Sequence, residues 1–74
     1  MIEVRIAGDL WEHLEPSQEL DLEGRDITVA DLLARLGLDP AEVGIVTVNG
    51  RQSKHDVIIP ADGRVFIFPP MFGG

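Results

Sequence analysis

Cysteine is missing from this chain, which excludes disulfides, a catalytic thiol and any cysteine-based metal site. No apolar run approaches the roughly 18 residues needed to span a bilayer. The opening Met1-Ile2-Glu3-Val4-Arg5 alternates acid and base instead of building the apolar stretch of a signal peptide. Conventional catalytic motifs are absent as well. There is no Gly-rich phosphate loop, no His-Glu-x-x-His and no serine nucleophile elbow. His13 and His55 are isolated in sequence and read as solvent-facing residues, not ligands. Glu12 and Glu15 read as a charged loop, because no apolar pocket is evident to shift a carboxyl pKa.

Basic residues are scarce. Six Lys and Arg face 13 Asp and Glu, for a net charge of −7. Residues 1–44 hold eleven acids against Arg5, Arg25 and Arg35, or −8, whereas residues 45–74 sum to +1. A chain this acidic repels phosphate backbones, so nucleic acid is a poor partner. The same charge favours solubility and steers the molecule toward basic partners. At 74 residues there is room for one modest core. A chain of this size buries roughly 60% of the surface it exposes unfolded, which leaves no depth for an enclosed active site. The expectation is a folded cytoplasmic domain without membrane association.

What is present is a succession of short, well-marked elements. Ile2, Val4 and Ile6 alternate with Glu3 and Arg5, the period of a half-buried strand, and Glu19-Leu20-Asp21-Leu22 alternates likewise. Between them, residues 8–17 read as a loop, with Leu10, Trp11 and Leu14 available for a helical turn. Thr28 with Asp31 three residues on forms a variant capping box, and Ile27 and Leu32 occupy hydrophobic-staple positions. Val29, Leu32, Leu33 and Leu36 then recur at helical spacing. Gly37 suits a left-handed helix end, and Pro40 discourages continuation. Ile45-Val46-Thr47-Val48 reads as a strand, Asn49-Gly50 as a two-residue hairpin turn, and a weaker strand is expected to end near Val57-Ile58-Ile59. Pro60-Ala61-Asp62-Gly63 turns the chain into Arg64-Val65-Phe66-Ile67-Phe68. That strand is apolar on both faces, so with Val65 and Ile67 toward the helix, Phe66 and Phe68 face away. The order β-β-α-β-β predicts an α+β roll: one main helix on a mixed sheet of four to five strands, first and last strands adjacent.

The last residues, Pro69-Pro70-Met71-Phe72-Gly73-Gly74, cannot form a regular central strand or helix. Extended, they reach about 20 Å. Pro69-Pro70 stiffens the base of this arm, and Gly73-Gly74 is slim enough to thread a narrow channel and present its carboxylate. A frayed terminus is the plainer reading of the glycines taken alone. Phe66, Phe68, Met71 and Phe72 form a candidate apolar docking surface leading into the arm.

The set Thr28-Val29-Ala30-Asp31-Leu32-Leu33, Leu36-Gly37-Leu38, Val48-Asn49-Gly50, Asp62-Gly63-Arg64-Val65 and Phe68-Pro69-Pro70-Met71-Phe72-Gly73-Gly74 resembles the MoaD/ThiS family. That family comprises the small subunit of molybdopterin synthase and the thiamine-pathway sulfur carrier. The resemblance implies a β-grasp (ubiquitin-like) domain over residues 1–68 and a flexible arm over 69–74. It implies a sulfur carrier and co-substrate in place of an enzyme. The Gly74 carboxylate, preceded by Gly73, would be adenylated and converted to a thiocarboxylate, and the molybdopterin branch is preferred for Phe68-Pro69-Pro70 and the long first loop. The implied partners are a ubiquitin-activating-type adenylating enzyme, a sulfur donor enzyme and the large subunit of an acceptor synthase. Phe66, Phe68, Pro69, Pro70, Met71 and Phe72 would contact them. No bound cofactor or metal is implied, because ATP is used by the activating partner. A thiamine-pathway carrier, a lysine-linked modifier and a non-covalent interaction domain are the alternatives. Lys54, the single lysine, would be the one side-chain attachment point for polymeric chains.

Overall fold

A computed structural model describes residues 1–7, 11 and 14–70. Its elements are β1 (Ile2–Ile6), β2 (Ser17–Leu20), α1 (Val29–Arg35), β3 (Val46–Val48), β4 (Arg51–Gln52) and β5 (Arg64–Ile67), with a 3-10 turn at Pro40–Glu42. The strands form one mixed sheet in the order β2-β1-β5-β3-β4. β1 and β5 run parallel at its centre, and the remaining pairs are antiparallel. This is the α+β roll expected from the element order. Among the described residues, no helix is long and apolar enough to cross a membrane.

The helix forms where its start signals coincide. Thr28 Oγ1 accepts from the Asp31 N–H at 3.1 Å, and the Asp31 carboxylate accepts from the Thr28 N–H at 2.9 Å. The remaining partnerless amides of the first turn are satisfied from outside: Val29 N–H donates to the Val57 carbonyl and Ala30 N–H to that of His55, while Leu32 N–H makes the first bond of the helix itself, to the Thr28 carbonyl. At the far end Gly37 has φ +75°. The bonds Gly37 N–H to Ala34 O and Leu38 N–H to Leu33 O complete a Schellman stop. Ile27 and Leu32, the staple pair, are both buried in the core.

Register aligns the inward side chains in rows across the sheet. Val4, Val65 and Val48 form one row, and Ile6, Ile67 and Val46 the next. Against them lie Val29, Leu32 and Leu33; these three, with Val4 and Ile67, are 0% exposed. Full burial of a side chain of this kind stabilises by about 1.5–3 kcal/mol. Trp11 joins the same cluster, and Leu14 packs partly against it.

Two strands differ from expectation by more than one residue. β2 lies at Ser17–Leu20 instead of 19–22, because Ile2 pairs with Leu20 and the ladder runs back to Ser17. Ser17 and Gln18 carry no apolar signal, and Leu22 is buried beyond the strand's end. The fourth strand is confined to Arg51–Gln52. Residues 55–59 do not continue it, because their backbone serves the helix entrance. His55 and Val57 carbonyls accept helix amides, Ile59 N–H donates to Ile27 O, and Ile58 bridges Thr28.

Candidate functional site

β5, the middle strand, carries Phe66 of the sequence-predicted docking residues and ends one residue before Phe68. Alternation along a strand sends residues two apart to the same face, so Phe66 and Phe68 share the side opposite the helix. Their rings stack with centroids 4.6 Å apart and planes 10° from parallel. Both are half-buried, and neither belongs to the core cluster. Trp11, by contrast, is a buried member of that cluster. Leu10 lies outside the described residues.

Register sets Arg5 of β1 and Thr47 of β3 on either side of Phe66. Next to them Glu3 bridges two cations: Arg5 Nε at 2.8 Å and Arg64 Nε at 3.5 Å. The pairs are solvent-exposed, a setting in which an ion pair adds at most about 1 kcal/mol. Their consequence is local charge. The open groove of about 580 Å³ beside the stack is lined by two arginines and one glutamate, against an overall charge of −7.

The strand then passes into the base of the arm. Phe68 N–H donates to the Ile45 carbonyl at 2.8 Å, and the Phe68 carbonyl accepts from Gly44 N–H at 2.9 Å. One residue of the outgoing strand thus bonds two successive residues opposite it, the two-against-one count of a β-bulge. Pro69 and Pro70, both half-buried, pass directly over Gly44. The predicted site residues Met71, Phe72, Gly73 and Gly74 lie outside the described residues, as do Glu12 and His13.

Gly44 is the residue that sequence reasoning missed. It follows Val43 without a turn signature, and its partner stands 25 positions further along the chain. His55 is half-buried and contributes a carbonyl to the helix start. Among the described residues, no group of three or more His, Asp or Glu is placed to hold a metal ion.

The profile of the ThiS family matches residues 4–74. Among solved structures, the crystal structure of SAMP1 from Haloferax volcanii is similar, with a TM-score of 0.72 and 27% sequence identity, over 99% of this chain and 98% of that one. The shared architecture is the β-grasp roll. No curated protein gives a significant match. The family match spans all but the first three residues, and the chain belongs to the ThiS family of ubiquitin-like sulfur carriers, which act as carriers and not as enzymes.

Proposed function

We propose that this chain carries sulfur on the carboxylate of Gly74 and delivers it in molybdopterin biosynthesis. Membership of the family implies an activating enzyme of the ubiquitin-activating type as partner. A terminal carboxylate is ionised at neutral pH, with a pKa of roughly 3.3–3.7, and resists nucleophiles because attack adds charge to an anion. Adenylation removes that obstacle. The carboxylate oxygen attacks the α-phosphorus of ATP, pyrophosphate leaves, and Gly74 becomes a mixed anhydride with AMP. The outer sulfur of a donor enzyme's persulfide then displaces AMP at the acyl carbon to give an acyl disulfide. A second thiol attacks the donor's own sulfur, forming a disulfide with it and releasing the thiocarboxylate. Its anionic, polarizable sulfur is the nucleophile passed to the large subunit of the acceptor synthase.

The chain's own contribution is to dock and to present. One observation carries the reading: β5 and the residue that follows it hold Phe66 and Phe68 outside the core and lead into a segment matched to the family through residue 74. Residues 1–68 serve as the docking body and 69–74 as the presented arm. Phe66 and Phe68, with Pro69, Pro70, Met71 and Phe72 beyond them, form the contact surface. The Phe68-Pro69-Pro70 segment favours the molybdopterin branch over the thiamine branch.

Mass spectrometry of the protein isolated from its host tests the reading. A sulfur-for-oxygen exchange at Gly74, abolished by deleting that residue, is the expected result. A lysine-linked conjugate in its place identifies a modifier, and an unaltered terminus under all conditions sinks the carrier role. Reconstitution with the co-purifying acceptor enzyme separates the branches, since the proposal requires the sulfur in a molybdopterin dithiolene and not in a thiazole.

A further inference from the structure

We infer that Gly44 is a positioning residue that aims the arm, an inference that rests on the carrier reading. A β-carbon built on Gly44 would fall against the carbonyl oxygen of Pro69, 2.8 Å from its carbonyl carbon and 2.9 Å from Cα of Pro70. Carbon atoms pack comfortably at about 3.5–4.0 Å, so any side chain here must drive the Pro69-Pro70 backbone away by about 1 Å. All three atoms are backbone, and no rotamer change relieves the overlap. The two-against-one bonding of Phe68 to Gly44 and Ile45 pins the preceding residue. The displacement therefore falls on the arm.

Consecutive prolines hold φ near −65° and resist bending. A side chain at position 44 therefore moves Pro69 and Pro70 together, and with them the point from which residues 71–74 start. The reacting carboxylate sits four residues beyond Pro70, and misplacement of about 1 Å at a reacting group can lower a rate on the order of 100-fold. The three atoms nearest an added β-carbon all belong to Pro69 and Pro70, so the substitution moves that edge of the contact surface and leaves the Phe66–Phe68 stack in place. Gly44 thus governs where the arm points more than how tightly the body binds.

The contrast with Gly63 sharpens the assignment. A β-carbon there would meet Pro60 O at 2.9 Å, in the turn that enters β5, and Cγ2 of the buried Ile59 at 3.3 Å. Crowding at Gly63 disturbs the body of the fold. Crowding at Gly44 disturbs only its exit.

The test uses full-length Gly44→Ala and wild type, with ATP–pyrophosphate exchange by the activating enzyme of the same host and amide NMR spectra of each. The expected result is a folded variant whose amide shifts change only around residues 43–45 and from 66 onward. Its kcat falls at least tenfold while KM stays within threefold. A folded variant with unchanged kcat, or one altered in KM alone, overturns the inference. Should Gly44→Ala fail to fold, Pro69→Gly and Pro70→Gly are added in the same chain. Recovery of the fold identifies the arm as the clashing partner, and no recovery overturns the inference. Wild-type protein that no activating enzyme charges sinks the carrier reading instead, whereas the confinement of the NMR changes still reports the contact between Gly44 and the arm.

Discussion

Asn49 and Arg64, 15 residues apart, bond each other twice: the Asn49 N–H donates to the Arg64 carbonyl at 2.7 Å, and the Arg64 N–H donates to Asn49 Oδ1 at 2.8 Å. Asn49 also sits at φ +52° and Gly50 at φ +82°, the left-handed pair that a two-residue hairpin turn requires. One side chain therefore serves the β3–β4 turn and the entry of β5. That entry sets the alternation that puts Phe66 and Phe68 on the outer face two and four residues later.

Asn49→Gly keeps the backbone conformation and removes only the side-chain acceptor, so it should destabilise by about 1 kcal/mol. Asn49→Ala adds the penalty of a left-handed L-residue, for about 2 kcal/mol in all. Urea unfolding of the two variants measures the difference. Equal stability of both with wild type would show that the Asn49–Arg64 bond contributes nothing.

Gly37→Ala isolates the other effect of glycine. At φ +75° nothing lies within 4 Å of an added β-carbon, so the substitution meets space but the wrong backbone region. A loss of about 1–2 kcal/mol is expected from the left-handed conformation alone, read from the urea midpoint at constant slope. Charging by the activating enzyme should be unaffected, the opposite of the pattern at Gly44.

The capping box makes a pH-dependent contribution. The Asp31 carboxyl is held below its ordinary value of 3.8, chiefly by the hydrogen bond from the Thr28 backbone N–H, then by that with the Thr28 side chain, with Arg35 adding a smaller attraction. A carboxyl whose folded pKa is depressed adds stability that is complete above the unfolded pKa and fades as pH falls through the folded one. The melting-temperature advantage of wild type over Asp31→Asn should thus be constant near neutrality and shrink on acidification below about pH 4. An advantage that persists unchanged at the acid end would refute this assignment. Thr28→Ala should cost about 1 kcal/mol of stability.

Phe68→Ala and Ile67→Ala separate surface from core on adjacent residues. Ile67 is 0% exposed, and its truncation should destabilise by about 2–5 kcal/mol. Phe68 stands outside the core, so its loss should leave the fold largely intact and weaken binding to the activating enzyme at least tenfold, the mark of an interface hot spot of more than about 1 kcal/mol. Calorimetry on the isolated protein and titration with the enzyme check the two halves. Unchanged affinity, or an unfolded Phe68→Ala protein, would remove the docking role from this face.

The features that sequence alone determined are those whose causes lie within a few residues. Thr28 and Asp31 are three apart, Gly37 follows its helix directly, and Asn49-Gly50 needs only its own two dihedral angles. Strand alternation likewise put Val65 with Ile67 on one face and Phe66 with Phe68 on the other, but with both faces apolar only the assembled sheet decided which pair meets the helix. Backbone bonding over longer range decided the rest. Nothing near Ser17-Gln18 marks a strand until Ile2 and Val4 pair with Leu20 and Gln18, and nothing near His55 or Val57 shows that their carbonyls are consumed by the helix entrance. The stack of Phe66 on Phe68 and the passage of Pro69-Pro70 over Gly44 arise only when the sheet is assembled. Steric exclusion between residues 25 positions apart leaves no trace in local composition, because the space a glycine must leave empty is defined by the chain that comes to occupy it.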